Sequence, residues 1–241
     1  MILDIDLGNT RIKWRETTAQ YGKSTSRSMP LSHVTAEMEL DLTTRPRRVR
    51  VASVRGPEAE AELVSWCERI CGVTPEFARS TRVAAGVRNG YEQPERLGVD
   101  RWLAILAAYN MARAGVVVID VGTAITADGV NGSGQHIGGY ICPGMRLMER
   151  SLQANTNLVR FTETHPRKMN PGINTGSAVS AGVLAATVGF AQQSWIKLSA
   201  LSGATIAVLA GGDAEVVAPH LLFPVQLASN IVLDGLDLAV P

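Results

Sequence analysis

The chain has almost no net charge. Among its 241 residues, 23 lysines and arginines face 22 aspartates and glutamates, leaving +1. That balance excludes a general attraction to nucleic acid or to a membrane surface, so the chemistry must be local. Cysteine is scarce as well. Cys67, Cys71 and Cys142 are odd in number, and the first two sit four apart with no histidine nearby, which favours buried filler over a zinc or redox site. The four histidines, His33, His136, His165 and His220, show no metal-ligand spacing and read as loop or surface residues. Long apolar runs are missing too. The stretch 182–190 is uncharged but too short to cross a bilayer. Asp4 and Asp6 interrupt the first hydrophobic segment, which argues against a signal peptide, and the expected location is the cytoplasm. No Gly-x-x-x-x-Gly-Lys-Ser/Thr occurs, so a nucleotide would not be held by a P-loop.

What the sequence does contain is one turn written twice. "ILDIDL" and "RIKWRETT" read as a strand apolar on both sides and a strand of alternating character, joined at Gly8-Asn9-Thr10. "VVVIDV" and "AITADGV" repeat the pattern around Gly122-Thr123. A duplicated turn at the start of each half divides the chain into two α/β subdomains, 1–114 and 115–241. Between the hairpins, 21–48 is polar and irregular, and "RPRRVR" reads as a solvated loop leading into "VRVASV". "PEAEAELVSWCERICG" predicts a helix with Pro57 near its start, Leu63, Trp66, Cys67 and Ile70 on one face, and Gly72 as its stop. A loop carries Asn89, Gly90, Tyr91 and Pro94, and "GVDRWLAILAAYNMARAG" turns helical with Asp100 in its first turn. In the second half "NGSGQ" turns into the strand "HIGGYICPG", whose Pro-Gly leads into a helix. The sparsely charged segment 175–201 predicts a buried or interfacial helix, interrupted near Gly189. "ATIAVLAGGDAEVV" reads as strand, Gly-Gly turn and helix, and "NIVLDGLDLAV" as a closing helix.

A strand that ends in Asp followed by Gly lets the backbone approach a ligand, while Asn9, Thr10 and Thr123 offer donors suited to phosphate oxygens. The carboxylate can hold Mg²⁺ directly or through its waters. A duplicated hairpin kept only for folding, each Asp satisfying its own turn amides, is the plainer alternative. Two such turns in equivalent halves favour the reading in which they face each other across a central nucleotide cleft. Asp100 and Arg101 also have plain readings, a favourable charge at a helix N-terminus and a surface ion pair.

The two turns and the later "LAGGD" resemble the actin, Hsp70 and sugar-kinase superfamily. More narrowly, "DLGNTRIK", "GVDRW", "DVGTAITAD", "GGYICPGM" and "NTGSAV" occur in the order and spacing of the type III pantothenate kinases, also called Bvg accessory factor homologues. The resemblance runs from residue 1 to about residue 215, and its most specific part is Gly-x-Asp-Arg. It implies two ribonuclease H-like, actin-like subdomains with mixed sheets around a nucleotide cleft, and transfer of the γ-phosphoryl of ATP to pantothenate. It assigns Asp6, Leu7, Gly8, Asn9, Thr10, Arg11, Ile12, Lys13 and Thr123 to ATP, with Asp6 also holding Mg²⁺. Tyr91, Gly98, Val99, Asp100, Arg101 and Thr175 go to pantothenate, and Asp100 becomes the catalytic base. An Asp placed like Asp120 holds a monovalent cation, K⁺ or NH₄⁺, in some members. The resemblance further implies a homodimer whose interface completes the acceptor site. The residues alone leave open another small-molecule kinase of the superfamily and a noncatalytic nucleotide-sensing regulator.

Overall fold

The computed structural model describes residues 1–18, 22–31, 40, 42–161 and 166–241. His33 and His165 lie outside them. The described residues divide into two compact units, 1–110 together with 230–241, and 111–229.

The first unit begins with β1 (Ile2–Leu7) and β2 (Arg11–Thr18), an antiparallel hairpin with Leu7 opposite Ile12 and Asp6 opposite Lys13. The segment expected to be irregular contributes β3 (Gly22–Lys23) and β4 (Arg27–Pro30), both paired with β2. Then β5 (Arg48–Ser53) runs parallel to β1, followed by α1 (Pro57–Trp66), β6 (Glu76–Phe77) parallel to β5, and the small hairpin β7 (Val83–Ala84) and β8 (Val87–Arg88). The sheet order is β3-β2-β1-β5-β6, with β4 also on β2. Helix α2 (Val99–Ala112) closes this part of the chain.

Alternation along the strands gives the sheet two unlike faces. Leu3, Ile5, Leu7, Ile12, Trp14, Val49 and Val51 pack with Leu63, Trp66, Cys67 and Cys71 into one apolar core. The other face of β1 carries Asp4 and Asp6, so the strand is not apolar on both sides. Beyond Trp66 the helix widens into a π turn, Cys67–Cys71, with Gly72 N–H donating to Cys67 O at 2.9 Å. The extra residue in that turn shifts the helical phase, so Cys71 rather than Ile70 reaches the core and Ile70 is exposed. Burial pushes the Cys67 thiol up to about 12, as expected of inert filler.

The second unit repeats the strand plan. After β9 (Val116–Val121) and β10 (Ala124–Val130) comes β11 (His136–Pro143), all antiparallel neighbours, and then α3 (Met145–Asn155). Helix α4 (Thr175–Ser202) starts in a capping box between Asn174 and Ser177 and stops at Gly203, which adopts a left-handed φ of 69°. It runs unbroken through Gly189. Nothing crowds that position, and the hydrogen-bonded turns on either side carry the helix across a single glycine at a cost of about 1 kcal/mol. Its buried side, including Leu184, Val188, Ala191 and Leu198, joins the strand core with Val117, Ile119, Val121 and Ile125. Strand β12 (Ala207–Ala210) runs parallel to β9, α5 (Ala214–Val217) follows, and β13 (Val225–Leu227) completes the order β11-β10-β9-β12-β13. His136 is not a surface residue: it is buried on β11 with its ring 3.1 Å from the Asp128 carboxylate.

The last helix, α6 (Ile231–Ala239), belongs to the first unit, whereas the division read from the sequence placed it with the second half. Leu233 and Leu236 pack with Ala52, Val99 and Leu103 over the charged face of the first sheet. The basic run 45–50, whose second half lies in β5, is likewise no simple solvated loop. Arg45 donates to Cys71 O at 2.7 Å, Arg48 forks onto Glu76, and Arg50 is buried against Asp4. Among the described residues no helix is long and apolar enough to cross a membrane.

Candidate active site

The first turn spans residues 8–11, four residues between the paired Leu7 and Ile12, and is closed by Gly8 N–H to Arg11 O at 3.1 Å. Leu31 N–H to Thr10 O, 2.9 Å, and Val54 N–H to Leu7 O, 3.3 Å, hold it from both sides. Asn9, Thr10 and Arg11 are exposed, and the Arg11 guanidinium donates to Ser28 Oγ at 2.9 Å. Asp6 and Lys13 are cross-strand partners, so their side chains leave the sheet on the same face. Leu7 and Ile12 are fully buried in the apolar core, so only their backbone is available to a ligand.

The second turn is one residue shorter, 122–124, between Val121 and Ile125, with Gly122 N–H to Ala124 O at 3.0 Å. Thr123 is exposed and Asp120 half-buried. Two later glycines are packed against this turn. Gly144 N–H donates to Thr123 O at 2.9 Å, and a β-carbon there would collide with the turn's carbonyls. In "LAGGD", Gly211 has a φ of +97° and lies so close to Val121 that no side chain fits, while Asp213 N–H donates to Val121 O at 3.1 Å. Neither contact was evident from the sequence; a Gly-Gly after a strand was the only signal.

The acceptor candidates gather at the start of α2. Arg101, nearly buried, donates to the Tyr91 hydroxyl at 2.7 Å and lies 5.5 Å from that ring's centre. Asp100 Oδ1 accepts the Arg101 backbone N–H at 2.8 Å, which ties the carboxylate to the helix N-terminus. The loop before the helix is built around Asn89. Its Nδ2 donates to Thr81 O and Pro94 O, both at 3.2 Å, and its Oδ1 accepts Tyr91 N–H at 3.0 Å. An open pocket of about 650 Å³ lies here, lined by Gly90, Tyr91, Glu92, Gln93 and Arg96. Gly98, Val99, Asp100, Arg101 and Tyr91 are thus brought together in one unit, whereas Thr175, the first residue of α4, belongs to the other.

The sequence reading missed one cluster altogether. Asp4, fully buried, is flanked by Arg15 Nη2 at 3.2 Å and Arg50 Nε at 2.8 Å. From α6, Asp234 takes Arg15 at 2.6 Å, Asp237 takes Lys23 at 2.5 Å, and Asp237 also pairs with Arg50. Burial by itself raises the Asp237 carboxyl, but hydrogen bonds and charge from Lys23 and Arg50 outweigh it and hold the group below its usual range. The available signal was Asp4 directly opposite Arg15 in the hairpin register, since a charge inside a strand needs a partner.

The chain has the α/β fold with mixed sheets shared by sugar kinases and actin-like ATPases. Solved structures share the fold: a protein of Sinorhizobium meliloti proposed to be a 2-dehydro-3-deoxygalactonokinase (TM-score 0.60, 12% identity, covering 98% of this chain and 97% of that one) and a Campylobacter jejuni protein proposed to be a Baf family transcriptional activator (0.58, 19%, 98% and 95%). The sequence model of the type III pantothenate kinase family matches residues 2–197. Type III pantothenate kinases of Pseudomonas paraeruginosa and Pseudomonas putida are 38% and 37% identical, each over 100% of this chain and 99% of the relative. The chain belongs to the type III pantothenate kinase family.

Proposed function

We propose that this chain transfers the γ-phosphoryl group of ATP to the primary hydroxyl of pantothenate, giving 4'-phosphopantothenate in the first step of coenzyme A synthesis. The observation that carries the reading is the Tyr91, Asp100 and Arg101 arrangement, set within a family match that covers most of the chain. Asp100 is the general base: its carboxylate, oriented by the Arg101 N–H, takes the proton of the attacking alcohol. Arg101, hydrogen-bonded to Tyr91, is the cation that pairs with the pantothenate carboxylate. Gly98, Val99 and Thr175 complete the acceptor contacts in this reading.

For the donor, exposed Asn9, Thr10 and Arg11 hold the triphosphate, with Leu7, Gly8 and Ile12 fixing the backbone of the turn that presents them, Lys13 supplies a point charge, and Thr123 binds phosphate from the second turn. Asp6 fits Mg²⁺, a hard cation commonly held by one or two carboxylates together with substrate phosphates and water. When bound, Mg²⁺ neutralises charge on the transferred phosphate. Asp120 is a hard oxygen donor folded towards Gly122, suited to K⁺ or NH₄⁺. The working unit in this reading is a cytoplasmic homodimer. It is supported by the outward side of α4, where Ala178, Gly182, Ala185, Ala186, Ile196 and Leu201 leave an apolar strip exposed.

The test is direct. Purified protein with ATP, Mg²⁺ and a potassium or ammonium salt should convert pantothenate to a product heavier by one phosphate. Nucleotide binding without turnover on any alcohol would replace this reading with that of a nucleotide-sensing regulator.

A further inference from the structure

The three central strands of the first sheet place two rows of side chains side by side on one face. Register puts Arg15, Asp4 and Arg50 in one row across β2, β1 and β5, and Lys13, Asp6 and Ala52 in the next. Residues two apart on a strand lie about 7 Å from each other. The first row is sealed under α6, whose Leu233 O accepts Arg15 at 2.8 Å and whose following Val240 O accepts Arg50 at 3.1 Å. The second row is the proposed seat of Mg²⁺ and phosphate. Counting the ion pairs, the cluster holds three cations, Arg15, Lys23 and Arg50, and three carboxylates, Asp4, Asp234 and Asp237, of which Lys23, Asp234 and Asp237 form its partly exposed rim. Two of the carboxylates come from α6, which lies after residues 2–197 matched by the family's sequence model but within the alignment to the full-length relatives.

From this juxtaposition we infer that α6 sets the electrostatic balance beneath the phosphate turn. The sheet must place two arginines beside the turn, and uncompensated they would bind the highly charged triphosphate and its products without discrimination; Asp234 and Asp237 bring the cluster to neutrality. Lys23, Asp234 and Asp237 are positioning residues in this scheme, acting through Arg15, Asp4 and Arg50 on the field at Asp6 and Lys13. The inference rests on the donor site assigned above. It differs from a purely structural role in one respect. A structural clasp weakens whichever member is removed, whereas a charge balance responds with opposite sign to removal of a cation or an anion.

Lys23 and Asp237 are direct partners and both partly exposed, 45% and 29%, so their substitution should leave the fold intact. The experiment measures the Michaelis constant for ATP in the wild type, Lys23→Gln, Asp237→Asn and the double variant, with ATP affinity by calorimetry alongside. Lys23→Gln leaves a net negative cluster and should raise the ATP constant about 2- to 5-fold at low ionic strength. Asp237→Asn should lower it by a similar factor, and the double variant should return close to wild type although it lacks both contacts. The shifts should shrink at about 0.5 M salt and exceed any change in the pantothenate constant. Changes of one sign in both single variants, with the double variant the worst, would overturn the inference in favour of a clasp; unchanged constants in all three would also overturn it. If the wild type bound ATP but did not phosphorylate pantothenate, the proposed reaction would fall while the calorimetric shifts still decided the charge balance.

Discussion

The two units are built to one strand plan and carry one sequence motif, yet they treat it differently. Each sheet runs hairpin, parallel strand, parallel strand, in the orders β2-β1-β5-β6 and β10-β9-β12-β13. In each, an Asp precedes the last residue of the first strand. The first turn has four residues, leaves Asn9, Thr10 and Arg11 outside, and pairs its Asp with a lysine. The second has three, pairs Asp120 with Thr126, and is braced by Gly144 and Gly211. A longer, more open loop beside a cation suits a polyphosphate with its metal. A short loop locked by two glycines suits a single fixed contact. The strand plan is therefore shared, while the length of the turn and the side chains around it differ.

The sharpest contrast is chemical, because the proposed base lies in the first unit. Asp100→Asn keeps the shape of the side chain but cannot accept a proton, so turnover should fall by about 10²- to 10⁴-fold with little change in melting temperature. Near-normal turnover by a well-folded variant would remove the chemistry from this unit.

Next in size is the difference between the turns themselves. Lys13→Ala removes a charge-assisted contact and should cost about 1.5 to 3 kcal/mol in catalytic efficiency with ATP, whereas Thr123→Val, losing a neutral hydrogen bond, should cost about 0.5 to 1.5 kcal/mol. Equal losses would show that the turns act as equivalents despite their different lengths. The acceptor end can be probed on the same scale through the substrate. Pantothenol lacks the carboxylate expected to meet Arg101 and should lose about 1.5 to 3 kcal/mol of transition-state binding. Comparable efficiency on the two compounds would refute that pairing.

The smallest expected effect separates the units by pH. The Asp237 carboxyl is held below its ordinary value of 3.8 in the folded state. The stability it contributes is therefore present above that value and is lost as the pH falls through the folded-state value. Hydrogen-exchange protection factors of the β1 and β5 amides should fall in acid, and Asp237→Asn should flatten that dependence. An unaltered pH profile in the variant would show that α6 is held by its apolar contacts alone.

Much of this architecture could be read along the chain because it depends on near neighbours. Alternation in β2 and the Asp-x-Gly pairs marked both hairpins, and the scarcity of charge over 175–201 marked α4, whose capping box and glycine stop the structure supplied. The failures also have local causes. A π turn moved Ile70 out of the core, and a single glycine did not break α4, because neither a phase slip nor the support of flanking helical turns shows in residue spacing. His136 lies eight positions from Asp128, yet only the pairing of β10 with β11 brings the two together.

By itself, the sequence determined the doubled turn, the order of the longer strands and helices, and the residues grouped at the start of α2, since hydrophobic periodicity and turn chemistry act over a few residues, whereas the short strands such as β3 and β4 carried too little pattern to be read. Tertiary structure alone decided that the final helix would return to the first unit and lie over Asp4. Arg15 and Asp234 meet across 219 positions, and Arg50 and Asp237 across 187. No local pattern encodes such a meeting, because the burial of a charged row is possible only when a distant segment delivers the opposite charges to it.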